Sequence, residues 1–363
     1  MRYKSLTLIL TYDCNLACDY CFCGRKRKEN MSEEMAKQAI DYFCENSEGK
    51  CNLVFFGGEP LLRADLIEEL CRYCNEKYPD KFSYCITTNG TLINPRTVKL
   101  LEDNNIGVTL SMDGMRESHD LHRRFCDGRP SFDVIMKNIH DNKFNIEQIT
   151  TRLTFTRYNV HKLAENLIGL HKEGFRRLAF YPASDKNDMY TEEDINNFRK
   201  EIDKLMAYTY NCYQTNNPIN ISWFSKSIRS HINGSCERCM AGVRQFSVTP
   251  DGDFYPCNRV DFNDKTWCIG NLQDGIDKKK QLELQKELLK EDPECDGCSL
   301  KSRCSICQID AYNNTGTVWK KPEFYCLMNQ YVILKADELA TRLFNEKNEI
   351  FIRQFYKETP KAV

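Results

Sequence analysis

Along residues 1–216 the hydrophobic positions switch repeatedly between two periods. Short runs rich in β-branched and aromatic residues lie at 5–10, 52–56, 82–88, 108–112, 149–156 and 177–181, and read as strands. Each precedes a stretch with apolar residues three and four apart. Residues 32–46 begin with an N-cap serine and place Met35, Ala39, Tyr42 and Phe43 on one helical face. Residues 64–78 carry Leu66, Leu70 and Tyr73 and stop before Pro79. Helical patterns follow at 95–103, 132–142, 160–173 and 192–213. Gly174 stands where a C-terminal helix cap belongs, and Thr191 with Asp194 forms a capping-box pattern.

Six β-then-α units predict an α/β fold with a parallel sheet and outer helices. Six are too few for a closed eight-stranded barrel, leaving an open partial barrel or a doubly wound sheet. Active sites in either architecture gather at the C-terminal ends of the strands. Four polar motifs fall there: the cysteines from Cys14 to Cys21 after the first strand, Gly57-Gly58-Glu59 after the second, Thr88-Asn89-Gly90 after the third, and Ser111-Met112-Asp113 at the fourth. From about Ser230 cysteines become dense, strands shorten, and turn signals such as Pro250-Asp251-Gly252-Asp253 enter. The expected division is a partial barrel over 1–229, a cysteine-rich domain over 230–335 and a helical extension over 336–363.

Charge narrows the partners. The 363 residues carry a formal net charge of −1, which favours neither nucleic acid nor an anionic membrane. The basic runs at 25–28 and 278–280 are short enough to be solvated surface. No apolar run can span a bilayer, and Leu6 to Leu10 is too short for a signal-peptide core, so a cytoplasmic, reducing setting is expected. Against that setting, twenty cysteines point to metal or iron–sulfur ligation rather than disulfides. Zinc competes with iron–sulfur as the explanation.

Cys14-x3-Cys18-x2-Cys21 gathers three thiolates in eight residues. A 4Fe–4S cube takes one protein ligand per iron, so three thiolates leave one iron open. A structural zinc site would recruit a fourth ligand. Cys14-Asn15-Leu16-Ala17-Cys18-Asp19-Tyr20-Cys21 resembles the signature of the radical S-adenosylmethionine (SAM) superfamily, and the resemblance continues through Gly57-Gly58-Glu59-Pro60, Thr88-Asn89-Gly90-Thr91 and Leu110-Ser111-Met112-Asp113-Gly114. It implies that the open iron chelates SAM, that one electron cleaves its sulfur–C5′ bond, and that a 5′-deoxyadenosyl radical takes a substrate hydrogen. By the same resemblance, Gly57, Gly58 and Glu59 would meet the SAM ammonium, with Glu59 supplying negative charge. Ser111 would bond the ribose, Tyr20 would lie near the adenine, and Arg123 would pair with the SAM carboxylate. Outside that context a Gly-Gly pair is a turn and a lone arginine a surface residue. Cys23 is extra to the motif and read as non-ligating.

The C-terminal cysteines run Cys239, Cys257, Cys295, Cys298, Cys304, Cys307 and Cys326, with Gly252-Asp253-Phe254-Tyr255-Pro256 leading into Cys257. This order resembles the SPASM domain, an appendage of peptide-modifying radical SAM enzymes with two auxiliary 4Fe–4S clusters. One departure is the two residues, rather than three, between Cys304 and Cys307. The resemblance assigns Cys239, Cys257 and Cys307 to auxiliary cluster I, with Cys236 the first candidate for a fourth ligand, Cys268 the second, and an open site the third possibility. Cys295, Cys298, Cys304 and Cys326 would hold auxiliary cluster II. A pair of zinc ribbons is the alternative. Cys44, Cys51, Cys71, Cys74, Cys85, Cys126 and Cys212 read mostly as small buried hydrophobes.

The cofactors implied are three 4Fe–4S clusters and SAM. The implied partners are a peptide or protein substrate and an electron donor such as ferredoxin or flavodoxin. Two branches of the family compete. Anaerobic sulfatase-maturing enzymes form formylglycine and carry an aspartate base directly after the cysteine matching Cys257, where this chain has Asn258, with Asp261 displaced. An amide takes no proton at neutral pH. The other branch matures ribosomally made peptides, and a thioether or other crosslink is the expected product. With the first strand starting near residue 5, a leader-recognition domain is not expected in front of it, so a separate leader-recognition protein could serve.

Overall fold

In the computed structural model, residues 2–21, 27–183, 189–236 and 239–357 are described. Cys23 and two members of the first basic run, Arg25 and Lys26, lie outside the described residues. The chain begins with β1 (Tyr3–Ile9), α1 (Glu33–Glu45), β2 (Ser47–Phe56), α2 (Ala64–Lys77), β3 (Phe82–Thr88), α3 (Pro95–Asp103), β4 (Gly107–Ser111), α4 (Arg116–His122) and α5 (Phe132–Asp141). It continues through β5 (Thr150–Phe155), α6 (Leu163–Lys172), β6 (Arg177–Pro182), α7 (Glu192–Gln214), β7 (Asn220–Ile221) and α8 (Ser222–Asn233). Last come β8 (Gln245–Val248), β9 (Asp253–Tyr255), β10 (Gly270–Asn271), β11 (Gly275–Ile276), α9 (Lys278–Leu288), α10 (Gln308–Thr315), α11 (Glu323–Asn345) and α12 (Glu349–Ile352). All six expected strands form. Among the described residues, no helix is long and apolar enough to cross a membrane.

Local signals account for the helix starts. Ser32 accepts a hydrogen bond from the Met35 amide to open α1. Asn94 and Thr97 cap α3 reciprocally, with Pro95 in its first turn. Thr191 and Asp194 do the same for α7.

The chain forms two units. The first comprises Met1–Ser111, His119–Asn145 and Met240–Lys290. Its strands run β11-β10-β9-β8-β1-β2-β3-β4. From β8 through β1 to β4 every pairing is parallel, with Leu6 opposite Leu53 and Leu53 opposite Tyr84, whereas β8 to β11 pair antiparallel. Leu6, Leu8 and Ile9 of β1 are fully buried on both faces of the sheet, as a central parallel strand requires. An aromatic cluster of Tyr3, Phe246 and Phe254 joins β1 to β8 and β9, with ring centroids 4.8 and 5.1 Å apart. Residues 240–290 therefore continue the N-terminal sheet, even though they follow the change of composition near residue 230.

The second unit comprises Met112–Ser118, Ile146–Cys239 and Glu291–Val363. Here β5, β6 and β7 pair in parallel. Its core stacks Phe155 on Phe198 at 5.7 Å and sets Trp223 against Phe180 at 5.2 Å. Helix α11 buries Met328, Val332, Ile333, Ala336, Leu339 and Leu343, a helical stripe facing α7 and α8. Arg303 forks onto both carboxylate oxygens of Asp337 in α11, at 2.7 and 2.5 Å.

Candidate active site

The loop that leaves β1 carries Cys14, Cys18 and Cys21, and two neighbouring segments clamp it. On one side, the Gly58 and Glu59 amides donate to the Thr11 and Asp13 carbonyls, both at 2.8 Å. The approach is so close that a Cβ on Gly57 would stand 2.3 Å from the Thr11 oxygen, and one on Gly58 2.1 Å from the Asp13 oxygen. Gly57 also has φ +145°, where only glycine is comfortable. The glycine pair is thus required by the contact between two loops. On the other side, the Ala17 amide donates to the Arg124 carbonyl at 2.7 Å and the Cys126 amide to the Asn15 carbonyl at 3.1 Å. Leu16, fully buried between Cys14 and Cys18, anchors the loop to the core.

Glu59 is held by neighbours within the fold. Its side chain is fully buried and has three donors within the protein: the Leu61 amide at 3.0 Å, the Thr88 hydroxyl at 2.8 Å and the Asn89 amide at 2.7 Å. Burial raises its pKa to about 7 against the pull of these donors. The carboxylate fastens the ends of β2 and β3 together, and its oxygens are engaged before any ligand arrives.

From the β3 end, Asn89 reaches the cysteine loop. Its Nδ2 lies 3.7 Å from Cys14 Sγ and 2.9 Å from Asn15 Oδ1, while Asn15 Nδ2 donates to Thr91 Oγ1 at 2.7 Å. Arg123 is nearly buried, with Nη1 3.9 Å from Cys18 Sγ and its guanidinium 5.4 Å from the Tyr20 ring centre. His122 packs on the same ring at 5.3 Å and bonds Asp19 through Nδ1 at 2.8 Å. The structure thus brings together Cys14, Cys18, Cys21, Tyr20, Gly57, Gly58, Glu59 and Arg123. Ser111 is half-buried as the last residue of β4 in the same unit, whereas Asp113 belongs to the other unit and accepts the Thr154 amide at 2.8 Å.

Sequence reasoning gave no role to Asn15, Asn89 or His122. Asn15 and Asn89 sit inside quoted motifs, and His122 adjoins Arg123, so position was the available signal. The reading of the remaining cysteines as mostly buried holds, with Cys126 the exception. Cys51, Cys71, Cys74 and Cys212 are buried and Cys44 and Cys85 partly so, but Cys126 is exposed. It stands in the tight turn that Gly128 closes by donating to the Phe125 carbonyl, and its thiol faces the Cys14 carbonyl at 3.5 Å. Burial pushes the Cys71 thiol up to about 12, as befits an inert packing group.

In the second unit, Cys295, Cys298, Cys304 and Cys326 come together. Burial raises the Cys304 thiol to about 11, and Cys326 and Cys295 add to the rise electrostatically. Cys326 is raised by burial and by Cys295 and Cys298. Cys326 lies in the first turn of α11, and the other three on the short turns that precede α10. Of the residues expected around the other auxiliary site, Cys257 and Cys268 belong to the first unit, and Cys236, Cys239 and Cys307 to the second. Cys236 Sγ lies 3.3 Å from the Cys304 carbonyl, and Cys268 Sγ 3.3 Å from the Gly270 carbonyl.

The donor chemistry of the Cys14, Cys18 and Cys21 loop fits an iron–sulfur cube. A cube puts each thiolate on a different iron, so thiols spread along one loop suit it, and amide and guanidinium donors beside the sulfurs are the contacts such clusters use.

Comparison with known proteins agrees with this geometry. The radical SAM superfamily description matches residues 8–167. An uncharacterised protein of Methanocaldococcus jannaschii is 31% identical, over 78% of this chain and 92% of its own length. The cysteine-type anaerobic sulfatase-maturating enzyme of Clostridium perfringens is 30% identical over 322 residues, covering 80% of this chain and 84% of that enzyme. The solved structure of native anSMEcpe with bound AdoMet superposes with a TM-score of 0.77 at 25% identity, covering 95% of this chain and 99% of the other. With a cysteine triad held on the rim of a parallel sheet and relatives matched over most of their length, the chain belongs to the radical SAM superfamily.

Proposed function

We propose that this protein is a radical SAM peptide maturase that takes a hydrogen atom from a residue of a ribosomally made peptide and forms a thioether or other crosslink. Cys14, Cys18 and Cys21 would hold the SAM-binding cluster, and Tyr20, Gly57, Gly58, Glu59, Ser111 and Arg123 would position SAM. Cys295, Cys298, Cys304 and Cys326 would hold one auxiliary cluster. Cys239, Cys257 and Cys307, with Cys236 before Cys268 as fourth ligand, would hold the other, within a SPASM-type region at 230–335. When bound, the cluster and SAM supply one-electron cleavage and hydrogen-atom abstraction.

One observation carries the choice of product. The residue after Cys257 is Asn258, whose Oδ1 lies 3.7 Å from Cys257 Sγ and which cannot act as a base. The displaced carboxylate does not replace it. Asp261 is exposed and accepts from the amide and side chain of Asn263, at 2.9 and 2.8 Å, in a turn of its own. Formylglycine formation is the second reading, favoured by the identity to the Clostridium perfringens enzyme.

The test is anaerobic reconstitution followed by reaction with SAM and reductant. Three cubes would give roughly twelve irons per chain and release of 5′-deoxyadenosine. A peptide encoded beside the gene should lose two hydrogens in mass spectra. Conversion of a sulfatase cysteine to an aldehyde would overturn the crosslink in favour of the second reading. A mass change seen only in deuterated water would indicate an epimer. A colourless zinc protein that leaves SAM intact would remove the whole assignment.

A further inference from the structure

Three of the four thiols in the second unit's quartet face a side-chain nitrogen. Lys321 Nζ lies 2.9 Å from Cys295 Sγ, Asn329 Nδ2 3.1 Å from Cys304 Sγ, and Gln330 Nε2 3.2 Å from Cys326 Sγ. Each donor is held. The Lys321 backbone amide donates to Asp292 Oδ2 at 2.8 Å, and the lysine is half-buried. Asn329 is buried and accepts the Trp223 indole N–H on Oδ1 at 2.9 Å, which turns its NH2 toward the sulfur. Gln330 stands four residues after Cys326 on α11, the spacing that puts two side chains on one helical face.

We infer that Lys321, with Asn329 and Gln330, sets the reduction potential of the cluster held by this quartet. The inference rests on the proposed reading of the quartet as a cluster site. Reducing a cluster with four thiolate ligands adds a negative charge to an already anionic group. A cation and N–H dipoles aimed at the sulfurs stabilise the more negative state more strongly, so they raise the potential and make the cluster the readier electron acceptor. Lys321 contributes most, because its contact is charge-assisted. It acts through the ligands and touches no reacting atom, so it is a positioning residue.

The experiment is a redox titration of the reconstituted holoenzyme followed by electron paramagnetic resonance. The quartet's signal is the one that disappears in the Cys295→Ala/Cys298→Ala variant. Lys321→Met keeps the stem and removes the charge. It should shift the ratio of reduced to oxidised cluster at fixed potential by about tenfold toward the oxidised form, which is about 59 mV for a one-electron couple. Lys321→Arg should restore most of the shift. Gln330→Leu should move the potential the same way by less. An unmoved potential in Lys321→Met with full iron content overturns the inference. If Lys321→Met loses iron, Gln330→Leu decides, and an unmoved potential there overturns it equally. A double-alanine variant that retains every signal and all its iron would instead overturn the reading of the quartet as a cluster site.

Discussion

Replacing Glu59 by glutamine tests whether its carboxylate fastens loops or faces a ligand. In the fold the carboxylate is fully buried and receives three donors. Burial still raises its pKa from the ordinary 4.5 to about 7. Because the folded pKa lies above the unfolded one, this group's contribution to stability is full below pH 4.5 and is lost as pH rises through about 7. The shift corresponds to about 3 kcal/mol at 1.36 kcal/mol per pH unit. Glu59→Gln has no such titration, but its NH2 would face the Asn89 amide, a mismatch costing about 1–3 kcal/mol. Urea unfolding of the apo-protein between pH 5 and 8 should therefore find the glutamine variant the less stable at pH 5 and gaining on the wild type by about 3 kcal/mol by pH 8. Glu59→Ala should be destabilised by about 3–5 kcal/mol, since it strands all three donors. A stability difference that does not change with pH refutes the titration argument. Unchanged stability at every pH, together with a tenfold loss of SAM affinity, would show that the carboxylate faces the SAM ammonium after all.

Three further outcomes follow from the same site. Gly58→Ala drives a Cβ into the Asp13 carbonyl, so urea unfolding should show a loss of about 1–3 kcal/mol and reconstitution a reduced iron content; normal values for both would mean that the clamp is slack. Replacing Cys14, Cys18 and Cys21 together by alanine should remove about four of roughly twelve irons and abolish 5′-deoxyadenosine release, and full iron with continuing cleavage would place the cluster elsewhere. Arg123→Lys should weaken SAM binding about tenfold by calorimetry, because an ammonium cannot fork onto a carboxylate; unchanged affinity would show that Arg123 does not pair with the SAM carboxylate.

What the chain announced by itself was local. The six strands, the caps of α1 and α7 and the spacing of Cys14, Cys18 and Cys21 are each encoded within a few residues, where period, capping chemistry and local spacing act. Tertiary structure decided whatever depends on direction and on distant partners. A glutamate in a motif shows a charge but not which way it points, and only the meeting of β2 and β3 turns Glu59 inward onto Thr88 and Asn89. In the sequence Cys126 reads with the small buried hydrophobes, yet the turn closed by Gly128 leaves it exposed. The composition break near residue 230 suggested a separate domain, but backbone hydrogen bonds ignore composition, and β8 pairs with β1 across more than 230 residues of chain. Lys321 reads as one surface lysine among many until Asp292 and the start of α11 hold it against Cys295. Spacing fixes which residues can be ligands, because ligands in one loop move together; it cannot fix what surrounds them, because those neighbours are placed by contacts far along the chain.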